Sequence, residues 1–312
     1  MTNRRVQIFA GPCSIDEKNI NEIYEISKME VKSRSGKKQL AITGTRIVGL
    51  KSRTELDNSG FGMGMDYDAY KFNLDILLSG GSSKDFKKMP SAMIAKEIAE
   101  DTNLSIATEI MNPLLQLPSY ENLFKRGQFL PWNPAVVQLG WHIETMAKFA
   151  QKNGWNIGIK NGKWIGDHLQ DADSDKYAGL TTMEKTWAGL VNYAGKIEHD
   201  IVLIHRGVDV PGKGNFRSAP VHQIAKRVKK STKAKLFFDP SHSFGPKLKD
   251  KIPEGVLEAL KMKISDSEYL YDGILIEVGT STTDTDQHIS LNELGILVQE
   301  IAKFRELHCR VS

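Results

Sequence analysis

The chain has 312 residues, of which 40% are hydrophobic and 26% are charged, and its formal net charge is +4 at pH 7. This length suits one large domain or two small ones, and the apolar fraction is sufficient to bury a sizeable core. The mild positive charge does not favour a nucleic-acid-binding protein, in which a clustered basic stripe is expected. It is compatible with small anionic ligands.

The cysteine content and the N-terminus indicate a cellular location. The two cysteines, Cys13 and Cys309, stand at opposite ends of the chain, which is not a disulfide framework and indicates a reducing compartment. The N-terminus lacks the charged and apolar regions of a signal peptide. No apolar run approaches the ~18 residues of a membrane span. We therefore expect a cytoplasmic protein that binds neither nucleic acid nor membrane.

Short apolar runs and helical patterns alternate along the whole chain. The predicted strands are Val6–Ala10, Leu40–Thr43, Leu104–Thr108, Pro134–Gln138, Trp155–Ile159, Asp200–Ile204, Ala234–Phe238 and Gly273–Ile276. The predicted helices lie near 16–29, 68–79, 91–101, 142–151, 183–196, 218–230, 254–264 and 291–307. Alternation of this kind predicts a parallel sheet. Eight units in about 300 residues favour an α/β protein with a single (β/α)8 TIM barrel over a doubly wound sheet.

A cluster of cations follows the second predicted strand. Residues 44–54 read GTRIVGLKSRT, so that Arg46, Lys51 and Arg53 fall within a short distance of a strand end. Arginine offers a planar fork to carboxylate or phosphate, and lysine offers a compact point charge. A solvated charge run is seldom spaced by glycines and apolar residues in this way. We interpret the segment as an anion site for a phosphorylated substrate.

Chemically active side chains follow nearly every predicted strand. They are Cys13, Arg46 with Lys51, Glu109, Gln138, Lys160, Arg206, Asp239 with His242, and Glu277. Active sites of (β/α)8 barrels lie at the C-terminal ends of the strands, so these groups are expected to meet at one rim. A single Lys or Arg after a strand is usually solvated, but polar groups after almost all strands indicate a functional site.

Several of these segments resemble one enzyme family. They read AGPCS at 10–14, RIVGLKSRT at 46–54, GIKNG at 158–162, IHRG at 204–207 and DPSHS at 239–243. In this order, and over the whole chain, they resemble the phosphoenolpyruvate (PEP)-dependent aldol-condensing family. That family contains 3-deoxy-arabino-heptulosonate 7-phosphate (DAHP) synthase and 3-deoxy-manno-octulosonate 8-phosphate (KDO8P) synthase. The motifs are most similar to DAHP synthase, with Ser52 in place of the proline of its K-P-R-T segment.

The resemblance implies a reaction and leaves its second substrate open. It implies a transferase that condenses PEP with erythrose 4-phosphate to give 3-deoxy-7-phosphoheptulonate and phosphate, a step of aromatic amino acid biosynthesis. One alternative is KDO8P synthase, which uses arabinose 5-phosphate and is favoured by Gln138, or a related synthase with another aldose. An alternative from a different class is a barrel that binds a phosphorylated metabolite without turnover.

The resemblance also implies a divalent metal ion. Its ligands would be Cys13, His242, Glu277 and Asp284, with Asp286 as a competitor for the fourth position. A set of thiolate, imidazole and carboxylate suits Mn, Fe, Co or Zn better than magnesium. By residue type alone Cys13 would be a small buried hydrophobe, but its position in Gly-Pro-Cys at a strand end favours a ligand.

The anion ligands can be assigned to substrates in the same way. The resemblance implies that Arg46, Lys160 and Arg206 face PEP, that Lys51 lies between the two substrates, and that Arg53 and Thr54 hold the aldose phosphate. Glu109 and Asp239 would orient the cations and the sugar hydroxyls, or serve as structural ion-pair partners. Lys51 and His242 are candidates for proton transfer, and Cys13 completes the candidate catalytic set.

The sequence departs from the family pattern after the fourth predicted strand. The family usually has an Arg there, whereas residues 137–142 read VQLGWH. One phosphate contact is therefore expected from elsewhere, such as Arg126 or Lys163. The resemblance also implies a homodimer or homotetramer. Because the chain begins near its first strand and ends after its last helix, we expect no separate regulatory domain and no inhibition by Phe, Tyr or Trp.

Overall fold

The structure is a computed structural model that describes residues 5–32, 36, 38–51, 63–164, 181–195, 200–280 and 286–308. The strands are β1 Arg5–Gly11, β2 Glu30–Lys32, β3 Lys38–Leu40, β4 Gly44–Arg46, β5 Ser105–Glu109, β6 Phe129–Trp132, β7 Ile157–Lys160, β8 Ile201–His205, β9 Lys235–Phe238, β10 Lys263–Ser265, β11 Glu268–Tyr269, β12 Gly273–Glu277 and β13 Glu306–Leu307. The α-helices are α1 Ile20–Ser27, α2 Tyr67–Leu78, α3 Pro90–Thr102, α4 Pro113–Gln116, α5 Gly140–Asn153, α6 Thr182–Ala194, α7 His222–Thr232, α8 Pro240–Phe244, α9 Ile252–Lys261 and α10 Leu291–Phe304.

Parallel strands close into a barrel. Within the described residues the neighbours run β1, β4, β5, β6, β7, β8, β9 and β12, and β12 pairs with β1 to close the ring. Helices lie in the connections between successive barrel strands. Two short hairpins, β2–β3 and β10–β11, stand outside the ring, and β13 pairs with the start of β1. The predicted (β/α)8 barrel is confirmed.

The barrel interior is filled with apolar side chains. They are Phe9, Val48, Ala107, Leu130, Trp132, Val202, Ile204, Phe237 and Leu275, and none is more than 4% exposed. Side chains alternate across each strand, so that neighbours such as Leu203 and Phe238 point outward into the larger core beneath the helices. These side chains fill the barrel interior, and the polar residues lie at the C-terminal ends of the strands. We call these ends, with the loops that follow them, the barrel mouth.

The second barrel strand is not where the sequence predicted it. Leu40–Thr43 was expected, whereas β4 begins at Gly44 and Leu40 ends the hairpin strand β3. Ala41 and Ile42 are fully buried between the two strands, which explains the apolar run. Arg46 consequently belongs to the strand itself and not to the loop after it.

The fourth barrel strand was also misplaced. The prediction was Pro134–Gln138, but the strand is β6 and residues 134–138 form the turn that follows it. Proline inside a run normally argues against a strand, yet Pro131 pairs in register with Thr108 of β5. Burial of Phe129, Leu130 and Trp132 outweighs that preference.

The eight predicted helices occur with differences at some ends, whereas the short helices α4 and α8 are not predicted. Helix α7 begins at His222 and not at 218, because the preceding residues pair with the start of their own loop. Helix α1 begins at Ile20, since Asp16 and Asn19 form a hydrogen-bonded turn before it. Among the described helices, none has the length and apolar character needed to cross a membrane.

Candidate active site

The barrel strands bring the predicted site residues to the barrel mouth. Arg46, Glu109, Lys160 and Glu277 are the last residues of β4, β5, β7 and β12, while Cys13, Arg206 and Asp239 follow β1, β8 and β9. Apart from Glu109, which is partly buried, each of them is at most 5% exposed. Charged groups are rarely buried to this extent unless they are paired. Their partners therefore define the site.

Lys160 and Asp239 form one buried ion pair. Lys160 Nζ lies 2.9 Å from Asp239 Oδ2, and Asp239 Oδ1 accepts hydrogen bonds from the backbone N–H of His242 and from its Nδ1. Burial acts to raise the pKa of Asp239, but His242 and Lys160 outweigh it and hold that pKa well below its usual value. Asp239 is therefore a fixed anion that positions both neighbours.

Arg46 and Glu277 form the second buried pair. Arg46 Nη1 lies 2.9 Å from Glu277 Oε1, while Glu277 Oε2 accepts a hydrogen bond from Gln287 Nε2 at 2.8 Å. Burial acts to raise the pKa of Glu277, but the Arg46 guanidinium outweighs it and lowers that pKa to about 2. Burial acts to lower the pKa of Arg46, but the neighbouring negative charges, of which that of Glu277 has the largest effect, together outweigh burial and raise that pKa above its usual value. Both groups are therefore ionised at neutral pH.

Trp132 forms the floor beneath these two pairs. Its ring centroid lies 5.8 Å from Arg46 Cζ and 5.8 Å from Lys160 Nζ, and its Nε1 donates to Glu109 Oε2 at 3.2 Å. A ring face attracts cations, so one side chain helps to place two cations and a carboxylate. The sequence prediction missed Trp132 because it placed the fourth strand too late. The buried run that ends in this tryptophan was the available signal.

Side-chain amides fix the backbone on which two cations stand. Asn133 Oδ1 accepts from the N–H of Lys160 at 2.8 Å, and Gln138 Nε2 donates to its carbonyl at 3.0 Å. Asn161 Oδ1 accepts from the N–H of Arg206 at 2.8 Å. Gln138 was predicted to contact substrate, and the described contact of its amide group is with the chain itself.

Lys51 and Cys13 are in contact. Lys51 Nζ donates to Cys13 Sγ at 3.0 Å, and the two residues are 9% and 0% exposed. The lysine predicted to lie between the substrates therefore stands beside the predicted thiol ligand. Arg53 and Thr54, predicted to hold the aldose phosphate, lie outside the described residues, as does Asp284.

The buried N–H groups of two arginines remain without hydrogen bonds. Arg206 Nε and Nη1, and Arg46 Nε and Nη1, make no hydrogen bond to any described residue, the Arg46 contact with Glu277 being an ion pair without hydrogen-bond angles. Burial and the neighbouring Arg217 lower the pKa of Arg206 to about 10, which still leaves it cationic at neutral pH. Unsatisfied buried donors are costly. Their presence at one end of the barrel indicates an anion site.

The structure describes three of the four predicted metal ligands, Cys13, His242 and Glu277. In the described ranges, no group of three or more His, Cys, Asp and Glu side chains is arranged to hold an ion. Glu277 is engaged by Arg46 and Gln287, and Cys13 by Lys51. The fourth ligand, Asp284, is among the residues that the structure does not describe, so the metal ion stays a prediction.

Two observations bear on single ligands. The Nδ1 of His242 is bound to Asp239, which leaves Nε2 for another partner, and a carboxylate on the second ring nitrogen is usual for metal-binding histidines. The side chain of Asp286, the competing fourth ligand, is 70% exposed and lies 2.6 Å from Lys249 Nζ. Asp286 is therefore a surface ion-pair partner in this structure.

The two suggested replacements for the missing fourth-strand arginine do not occupy its place. Arg126 precedes β6 and so lies at the opposite, N-terminal end of the barrel, which excludes it. Lys163 follows β7, but its side chain is 50% exposed and its Nζ lies 3.8 Å from Asp209 Oδ2. Its described contact is thus a surface ion pair.

The fold and the barrel mouth together define a (β/α)8 barrel protein with a cluster of buried cations at the C-terminal ends of its strands. The same fold occurs in a DAHP synthase (phospho-2-dehydro-3-deoxyheptonate aldolase) from Thermotoga maritima, with a TM-score of 0.66 and 16% identity over 98% of this chain and 72% of that one. A truncated DAHP synthase from the same organism gives a TM-score of 0.63 and 15% identity over 99% and 91% of the two chains. At these identities the likeness shows a shared fold. No protein-family model matches the chain, and no curated protein sequence matches it.

Proposed function

We propose that this protein is a transferase of the DAHP synthase type, which condenses PEP with erythrose 4-phosphate to give 3-deoxy-7-phosphoheptulonate and phosphate. The observation that carries the proposal is the set of buried cations at the barrel mouth, Arg46, Lys160 and Arg206, with arginine N–H groups left for an anion. The shared fold with DAHP synthase structures and the sequence motifs support it.

The charges at the barrel mouth suit a trianionic substrate. The buried cations Arg46, Lys51, Lys160 and Arg206 face the carboxylates of Asp239, Glu277 and the partly buried Glu109, so these groups together have an excess of positive charge. PEP and the phosphorylated aldose are both anions, so their mutual repulsion must be neutralised before they can approach, and preorganised charges do this without reorganisation at the moment of reaction. The ion pairs to Asp239 and Glu277 supply that preorganisation.

The proposed reaction proceeds in two stages. C3 of PEP attacks the aldehyde carbon of the sugar, and the aldehyde oxygen takes up a proton. Water then adds at C2 of PEP and loses one proton. The new C2 hydroxyl becomes the ketone as the C2–O bond to phosphate breaks, and its proton leaves with the phosphate. Arg46, Lys160 and Arg206 hold PEP throughout. Lys51, which donates to Cys13 in this structure, is our candidate for the proton on the new hydroxyl, because an ammonium can donate it directly.

A divalent metal ion, Mn, Fe, Co or Zn, is part of the proposal. Cys13, His242, Glu277 and Asp284 would hold it, and a bound ion supplies Lewis-acid polarisation of a carbonyl oxygen. The support is the donor types and the Asp239 hydrogen bond to His242. We expect a chelator to abolish phosphate release and manganese to restore it. Activity that survives complete chelation would remove the metal from the proposal.

An aldose panel tests the function. Phosphate release from PEP is measured with erythrose 4-phosphate, arabinose 5-phosphate and ribose 5-phosphate. We expect the highest kcat/KM with erythrose 4-phosphate. A preference for arabinose 5-phosphate would identify the KDO8P synthase reaction instead. Binding of PEP without turnover on any aldose would make the protein a phosphometabolite-binding barrel.

Two variants test whether turnover depends on the barrel mouth. Lys160→Met removes one buried cation and should abolish turnover, while Arg126→Gln changes an arginine at the opposite end of the barrel and should leave turnover unchanged. The expected homodimer or homotetramer and the single-domain organisation remain part of the proposal. Both can be measured on the same preparations by light scattering and limited proteolysis.

A further inference from the structure

The loop after β8 folds back on itself and brings its two ends together. Val208 and Ala219 pair as an antiparallel bridge, with N–O distances of 2.9 and 2.7 Å. Gly207 has φ +79°, and a Cβ at this position would lie 2.3 Å from the carbonyl oxygen of Ser218. Only glycine permits this approach. Arg206 and Arg217 flank the closed bridge and therefore stand on adjacent stretches of backbone at the barrel mouth.

Arg217 is held toward the buried end of β12. Its Nη1 donates to Gln287 Oε1 at 2.5 Å, and Gln287 Nε2 donates to Glu277 Oε2 at 2.8 Å. Gln287 and Glu277 are fully buried and Arg46 is 2% exposed, so the chain of contacts runs from the partly buried Arg217 into the buried part of the barrel mouth. The backbone N–H of Arg217 donates to the carbonyl of Phe244 at 3.3 Å. The arginine is thus fixed at both its backbone and its guanidinium.

We propose that Arg206 and Arg217 together bind the phosphate group of the substrate, and that Arg217 adds a cation on the β9–β12 side of the barrel mouth, across the ring from the fourth barrel strand that lacks the expected arginine. The anion site rests on the loop geometry and on the buried N–H groups of Arg206 that have no partner among the described residues. The identity of the ligand as PEP rests on the proposed function.

The electrostatics of the loop agree with this assignment. Arg206 is 5% exposed, and its Nε and Nη1 have no hydrogen-bond partner among the described residues. Burial lowers its pKa, and the charge of Arg217 lowers it further, against the opposing effects of Asp239, Glu109 and Asp209. A dianion bound beside both guanidinium groups would offset the effect of Arg217 on Arg206, and a guanidinium can bind phosphate through its N–H groups.

Gln287 is a positioning residue in this arrangement. It accepts from Arg217 and donates to Glu277, so it orients the guanidinium without contacting the phosphate. A glutamine is well suited to this task because its amide carries an acceptor and a donor side by side. Methionine at this position would retain the length of the side chain and lose both hydrogen bonds.

Calorimetric titration with inorganic phosphate and with PEP tests the proposal. We expect Arg217→Met to weaken binding of both by about 10- to 100-fold, as for the loss of a charge-assisted contact. Arg217→Lys should weaken binding less, and Gln287→Met should weaken it by less than Arg217→Met. Arg126→Gln, the matched control, should bind as the unchanged protein does. Thermal melting of each variant confirms that it is folded, and Arg217→Lys provides the comparison if Arg217→Met does not fold.

The outcomes separate this inference from the proposed function. Equal phosphate binding by the unchanged protein and by the folded Arg217 variants would overturn the inference, as would a failure of the unchanged protein to bind phosphate or PEP. Binding that depends on Arg217 but no condensation with any aldose would support the anion site and refute the function. Turnover together with PEP binding that is independent of Arg217 would support the proposed function and refute the Arg217 anion site.

Discussion

At the scale of single residues, the Arg46–Glu277 pair shows how a buried charge depends on an oppositely charged neighbour. Both side chains are at most 3% exposed and their closest atoms are 2.9 Å apart. Removal of one member of a buried pair leaves an uncompensated charge, which typically costs about 3–5 kcal/mol. We expect Arg46→Met to destabilise the protein by this amount, and Arg46→Met with Glu277→Gln to be more stable than Arg46→Met alone.

Denaturant unfolding of the two single variants and the double variant measures this coupling. Lys148→Met is the control, because Lys148 and Glu144 are also 2.9 Å apart but 73% and 48% exposed. Its effect should stay within about 0.5 kcal/mol, since exposed pairs contribute little. Strictly additive effects of the two mouth substitutions would show that the pair is not coupled.

A second residue-scale prediction concerns a cluster outside the pocket. Tyr271 Oη lies 2.7 Å from Nδ1 of both His205 and His222, in the layer between barrel and helices. Burial lowers the pKa of His222 to about 4, and burial lowers that of His205 well below its usual value. An unfolded histidine takes up a proton near pH 6.5. The unfolded state therefore binds more protons between about pH 6.5 and pH 4, and stability must fall as the pH falls through this window.

His222→Gln should remove the contribution of His222 to this loss. At one pKa unit per 1.36 kcal/mol, that contribution is about 3 kcal/mol. Unfolding free energies at pH 7.5 and pH 4.5, measured by denaturant for both proteins, give the comparison. The substitution is expected to cost stability at pH 7.5 and to flatten the pH dependence. An unchanged difference between the two pH values would show that His222 does not titrate as described.

At the scale of elements, two helices provide a matched pair of glycines. A Cβ on Gly255 of α9 would lie 2.1 Å from Phe244 Cζ, whereas a Cβ on Gly295 of α10 would have no atom within 4 Å. Glycine inside a helix costs roughly 0.5–1 kcal/mol relative to alanine. Gly295→Ala should therefore stabilise the protein by about that amount. Gly255→Ala should destabilise it by about 1–3 kcal/mol, the usual cost of overpacking. Thermal unfolding distinguishes the signs, and two effects of the same sign would contradict the packing argument.

The strands show how far the sequence determines the fold. Buried parallel strands are apolar on both faces, and this signal located most barrel strands and hence the fold class. The apolar signal failed where a buried residue does not belong to a strand, or where a strand contains a residue that normally disfavours strands. Ala41 and Ile42 are buried outside a strand, while Pro131 lies within one. In both places the neighbouring strands decide the pairing, and a local pattern cannot report on them.

The residues of the candidate site also divide into those that the sequence predicted and those that it did not. The residues at strand ends were predictable because a parallel barrel brings all C-terminal ends to one face. Trp132, Arg217 and Gln287 were not predicted as site residues. Trp132 was hidden by the misplaced fourth strand, and the Arg217–Gln287 contact joins residues 70 positions apart. No spacing in the sequence encodes a contact that is created by loop closure.

At the scale of the whole molecule, the barrel separates an apolar interior from a charged mouth. The interior side chains are at most 4% exposed, and the buried cations Arg46, Lys51, Lys160 and Arg206 lie at the C-terminal end of the ring. Like charges held together oppose folding, and proteins tolerate such strain at functional sites. A ligand that neutralises the cations should relieve this repulsion. The free energy of unfolding should therefore rise when an anionic ligand binds at the barrel mouth.

The last prediction follows from that linkage. PEP at a concentration about a hundredfold above its Kd should raise the free energy of unfolding by about 2.7 kcal/mol, because only the folded state binds it. Pyruvate lacks the phosphate group and should give a smaller gain at the same concentration. Lys160→Met should reduce the gain from PEP, since the lost ammonium is fully buried beside Asp239, whereas Arg126→Gln at the other end of the barrel should retain it. Denaturant unfolding with and without each ligand measures the differences. An equal gain in Lys160→Met and in the unchanged protein would place PEP outside the barrel mouth.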